Sequence, residues 1–201
     1  MNYVTEQVQS IFAEKQEWLS FLYLCQNKDE IRNDWFKQLK SNVNALALKS
    51  LPDEWSFSSW GIWDFQWFIK KFTNESLSLW FRGWNDSYAL SLWSSKNFFD
   101  NEKVYNLLQE SKYSLIRATF DRIDDVFASN DENHFIEIGN FSFEEESTNG
   151  RLDIDSLAWY ANYKTCEFAQ QIIAKVNKFI QNPDITKMFI EINEQSAIPQ
   201  K

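Results

Sequence analysis

Glycine and proline are scarce in this chain, four and three among 201 residues. With so few points at which the backbone turns sharply, long irregular loops are not expected. The four glycines stand alone at 61, 83, 139 and 150, which excludes a Gly-rich phosphate loop. Histidine occurs once, at His134. That excludes a multi-histidine metal site and leaves His134 as the only possible base for a Cys–His or Ser–His nucleophile. No flanking motif supports such a role, and His134 reads as a polar residue opening a strand. Cys25 and Cys166 lie far apart on helical stretches. They are expected to be small buried side chains in a reducing compartment rather than a bridge.

Long apolar runs are also missing. No window approaches eighteen consecutive apolar residues, so no membrane-spanning helix is expected. MNYVTEQVQSIFAEKQEW has no basic start followed by an apolar stretch, so no secretory signal is expected and the cytoplasm is the inferred location. Bases are outnumbered, 20 against 29 acids, for a net charge of −9. An acidic surface repels phosphate backbones and anionic lipids, which disfavours nucleic-acid and membrane partners.

What the chain does contain is aromatic and apolar mass, 17% and 44%. A chain of this length buries roughly 70% of its unfolded surface, enough to need no disulfide or metal staple. The whole of 1–201 reads as one α+β domain with no internal repeat or linker. Residues 1–50 form a helical pair. Val4, Val8, Ile11, Trp18 and Leu22 share one stripe, and Asn27 with Glu30 resembles a capping box. Ile31, Trp35, Leu39, Val43 and Leu46 then share a face up to Leu51-Pro52.

Residues 55–95 change to period two. Three stretches alternate, Trp63–Ile69, Leu77–Phe81 and Leu90–Leu92, separated by turn-forming segments. They predict an antiparallel, aromatic-rich meander. Its first strand is the weakest, because Ile62, Phe65, Ile69 and Phe72 also suit a helix face. Residues 100–128 are mixed: a short helix from Asp100 to Glu110, then a stretch in which Phe120, Ile123 and Phe127 favour a helix. In 133–146, FIEIGNFSFE predicts a hairpin turning at Gly139-Asn140. In 155–195, a long helix carries Leu157, Ala161, Phe168, Ile172, Val176 and Phe179. Asn182-Pro183 ends it, and a last short helix follows.

Seven of the ten tryptophans lie between Trp55 and Trp93. Most are expected to fill the helix-covered face of the sheet, with Trp63, Phe65 and Trp67 inside. Trp80 and Trp93 fall on the opposite face and Trp84 at a turn, where they suggest a contact patch. Residues 51–99 carry acids and bases in near balance, so base stacking in a positive groove is disfavoured.

Charge is concentrated. Residues 121–155 hold eleven acids against Arg122 and Arg151, which accounts for the entire net charge; elsewhere acids and bases are equal. Such a segment is either a solvated surface or a field that steers a basic protein partner. In the second case Asp124, Asp125, Asp131, Glu132, Glu144, Glu145 and Glu146 supply the field, and Trp80 and Trp84 the anchors. Acidic inhibitor and immunity proteins work in this way on nucleases and toxins. The Asp153-x-Asp155 and Glu144–Glu146 runs lack the spacing of a calcium or magnesium loop, and no cofactor is expected.

Two alternatives remain. Glu110-Ser111-Lys112 is an E-x-K with Asp100 ten residues earlier. In PD-(D/E)xK nucleases such an acid pair holds a metal while the lysine positions water. Here the motif falls at a helix end rather than on a central strand. The other alternative is an aromatic platform for carbohydrate or a small ligand.

Overall fold

The computed structural model describes residues 12, 14–61, 64–84, 87–129, 134–141, 143 and 152–199, with the backbone alone at 83, 84, 87, 88, 124–129, 134, 135, 137, 140 and 152. The fold is α+β: an antiparallel sheet and a two-stranded hairpin packed against helices.

Helix α1 (Lys15–Gln26) opens with the Glu17 carboxylate accepting the Glu14 N–H at 3.0 Å. Helix α2 (Lys28–Ser50) follows after a single residue, Asn27. Asn27 does not cap α2 through its side chain; its amide instead donates back to Tyr23 O at 2.8 Å, closing α1. The expected capping box with Glu30 is therefore absent. A one-residue joint is also too short to fold α1 back antiparallel to α2. Val4, Val8 and Ile11 lie outside the described residues. The inward face of α2 is Phe36, Leu39, Val43 and Ala47, with Trp35 and Leu46 at its margin.

The sheet runs β1 (Trp55–Trp60), β2 (Asp64–Ile69), β3 (Ser78–Trp84), β4 (Ser87–Trp93), in that spatial order, with the two-residue β7 (Leu152–Asp153) beyond β4. The three expected strands are present as β2, β3 and β4, and β1 adds a fourth. The register sets Phe57 opposite Trp67, Trp67 opposite Leu79 and Leu79 opposite Leu92. One face is thus a continuous apolar layer. Phe65, Trp67, Leu77, Leu79, Phe81, Leu90 and Leu92 are all buried there, as the alternation requires.

Helix α3 (Asn101–Gln109) turns Val104, Leu107 and Leu108 inward, as expected. A 3₁₀ turn (Ser111–Tyr113) and the short α4 (Ser114–Ala118) lead into β5 (Arg122–Ser129), which pairs with β6 (His134–Asn140). Two expectations fail here. The Ile123–Phe127 stretch is strand, not helix. Between Ile123 and Val126 the register slips by one residue, a bulge that converts period two into a helix-like spacing. Nor is Gly139 a turn residue: it sits inside β6 opposite Ile123, where an added Cβ would lie 2.3 Å from Arg122 O. Only glycine admits that approach.

The expected single C-terminal helix is two, α5 (Ile154–Tyr163) and α6 (Thr165–Ile180), broken at Lys164. The Thr165 hydroxyl donates to Ala161 O and Asn162 O at the break. Asn182 caps α7 (Pro183–Ser196), with Pro183 in its first turn. Helix α2 lies along α5 and α6, and α6 and α7 bring Phe168, Phe179 and Phe189 under the sheet and hairpin. Among the described residues no helix is long and apolar enough to cross a membrane.

Candidate functional site

On the face of the sheet away from the helices, Ser58, Gln66, Trp80 and Ser91 form one row across β1 to β4. Trp80 stands at its centre. Trp60 meets it edge-on at 5.4 Å and Trp93 at 4.5 Å, and the Arg82 guanidinium covers its ring at 4.5 Å. Trp80 is only 9% exposed. Its ring is enclosed by neighbours and is not an open stacking face. Gln66 is fully buried beside it, donating to Asn74 O and Ser78 Oγ at 2.6 and 2.8 Å. Asp64 and Arg82 share this face. Burial pushes the Asp64 carboxyl up and the Arg82 guanidinium down, each partly offset by the other's charge. Trp84 lies at the end of β3, with its backbone alone described. Trp63 lies outside the described residues.

Helix α1 is the larger anomaly. None of its residues is buried. Trp18, Leu19, Phe21, Leu22, Tyr23 and Leu24 are each 37–63% exposed, and Phe12 packs at 5.3 and 4.8 Å against Trp18 and Phe21. A helix apolar on every side is normally interior. Left uncovered, it forms the kind of patch that marks an interaction surface. The sequence held a signal for it: Trp18 to Asn27 carries no charge, and its apolar residues do not keep to one stripe. A second exposed aromatic group lies on α5, where Trp159 and Tyr163 stack at 5.3 Å and Trp35 of α2 meets Tyr163 edge-on. Cys25 on α1 and Cys166 on α6 are free and exposed, contrary to the expectation of burial.

Three acids of the 121–155 segment are tied into the fold. Asp121 pairs with Lys175 and Lys178 at 3.1 and 3.2 Å. Asp155 pairs with Lys28 and Arg32 of α2 at 2.6 and 3.4 Å. Asp153 caps α5, accepting the Asp155 and Ser156 N–H groups at 3.1 and 2.9 Å. Hydrogen bonds from Ser156, its hydroxyl first and then its N–H, hold the Asp153 carboxyl below the usual range. Asp124 and Asp125 lie on β5, where the backbone alone is described; Asp131, Glu132, Glu144, Glu145 and Glu146 lie outside the described residues.

No protein-family model, curated protein or solved structure matches this chain.

Asp100, Glu110 and Lys112 are not brought together. Asp100 caps the start of α3, accepting the Lys103 N–H at 3.0 Å, and Glu110 caps its other end. Nine helical residues lie between them, and the ten rises set the two positions ~15 Å apart, whereas ligands of one hard cation each sit ~2–2.6 Å from it. Lys112 is paired with Glu191 of α7.

Proposed function

We propose that this chain is a non-enzymatic protein-binding module for a basic protein partner, of the inhibitor or immunity class. The observation that carries the proposal is α1, which leaves six large apolar side chains more than a third exposed along twelve residues. Aromatic and apolar anchors that lose water on contact dominate interface energetics. The net charge of −9, concentrated in 121–155, supports a division of labour. Carboxylates including Asp124, Asp125, Asp131, Glu132, Glu144, Glu145 and Glu146 accelerate encounter with a basic surface over a range set by salt. The apolar helix then slows dissociation. Trp84 is a further anchor in this scheme.

The test is affinity capture from native lysate at low and moderate salt, comparing the wild type with Leu19→Glu/Leu24→Glu. Proteins retained by the wild type should be lost from the variant. Neutralising four of the acids should slow association with the captured protein and flatten its salt dependence. Retention of the same proteins by the α1 variant removes the docking role, and an unchanged association rate removes the steering role.

A further inference from the structure

We propose that two copies of this chain join their sheets edge to edge through β1, antiparallel about a two-fold axis at Ser58. Strand β1 ends the sheet, and among the described residues no strand pairs with its other side. The Lys70 N–H bonds Glu54 O at 2.7 Å, one rung before the Trp55–Ile69 pair. Antiparallel bonding alternates along a strand, so Ser56, Ser58 and Trp60 bond β2. Phe57 and Ser59 aim their N–H and C=O groups at the free edge.

Proteins normally blunt such an edge with a lysine, a proline or a bulge. Residues 55–60, WSFSSW, contain no charge and no proline, and β1 keeps unbroken register with β2 over all six pairs. The uncharged stretch continues through residue 63. A contact between two copies that each carry −9 requires such a region.

A two-fold contact must match the strand to itself. Centred on Ser58, Phe57 of one copy faces Ser59 of the other. The outward groups of these residues then complete four backbone hydrogen bonds. Ser58 faces Ser58 of the second copy as a non-hydrogen-bonded pair, the closer of the two spacings. Its hydroxyl oxygen is buried and makes no hydrogen bond among the described residues. A turn about χ1 points it at its symmetry mate, a hydroxyl pair of the kind that supports cross-strand contacts. The half-buried Trp60 falls opposite Ser56 of the second copy, extending the aromatic face across the joint.

The register is tested by cysteine cross-linking in a Cys25→Ser/Cys166→Ser background, since both native thiols are exposed. Ser58→Cys should give a disulfide-linked dimer on mild oxidation, because paired Cα atoms ~4.5 Å apart suit a disulfide. Ser56→Cys should not, because its two copies lie four rungs apart, ~13 Å. Sedimentation at micromolar protein should give a dimer for the wild type and for Leu19→Glu/Leu24→Glu, which separates this contact from the α1 surface. Ser59→Pro deletes an outward N–H without touching the β1–β2 ladder, and should give a folded monomer by circular dichroism. A wild-type monomer, a dimer that a folded Ser59→Pro leaves intact, or Ser56→Cys cross-linking as readily as Ser58→Cys overturns the proposal.

Discussion

The indole Nε1–H of Trp55 donates to the Thr186 hydroxyl at 3.0 Å inside the core, tying the edge strand β1 to α7. Both residues are buried, and Trp55 also packs against Phe189 at 5.2 Å. Thr186→Val keeps the shape and removes the acceptor, leaving a buried donor unpaired. It should cost about 1–3 kcal/mol in denaturant unfolding, whereas Thr186→Ser should cost less than Thr186→Val. A Thr186→Val variant as stable as the wild type would show that the hydrogen bond contributes nothing.

Gly139→Ala should destabilise by about 1–3 kcal/mol, because the new methyl meets the Arg122 carbonyl and the Phe120 ring. The strain is local to the β5–β6 pair. Hydrogen exchange should therefore rise first in the hairpin and only later in β2 and β3.

Asp153 makes stability depend on acidity. Its carboxyl is held below the usual range, so the folded state binds its proton less readily than the unfolded state. The sign follows: the contribution is complete above the ordinary carboxylate range and is lost as pH falls through the lower folded value. Asp153→Ala should cost about 1 kcal/mol at neutral pH through loss of the cap. The gap from wild type should close on acidification. A gap that stayed constant with pH would exclude the charged cap.

Burial distinguishes α1 from α2. Leu39→Ala, in the buried face of α2, should cost about 2–5 kcal/mol. Leu24→Ala on α1 should change unfolding by no more than about 0.5 kcal/mol, as expected of a side chain more than half exposed to solvent. A large loss at Leu24 would mean that α1 is covered.

Much of the sheet was legible because burial on one side imprints itself on alternate residues. The spacing alone places Phe65, Trp67, Leu79, Phe81, Leu90 and Leu92 in the core, and all six are buried. The α3 face and the Asn182-Pro183 boundary were equally readable, since periodicity and capping chemistry are local.

Other features were not written locally. The bulge in β5 hid a strand behind a helix-like interval, and only its pairing with β6 reveals it. Gly139 looked like a turn residue, although the constraint on it comes from Arg122 across the ladder. The chain alone determined which residues prefer to leave water and how they are spaced. Only the tertiary structure decided which of them found cover. Exposure depends on what a neighbour far along the sequence supplies: Trp80 gained Trp60, Trp93 and Arg82, while no residue of α1 became buried.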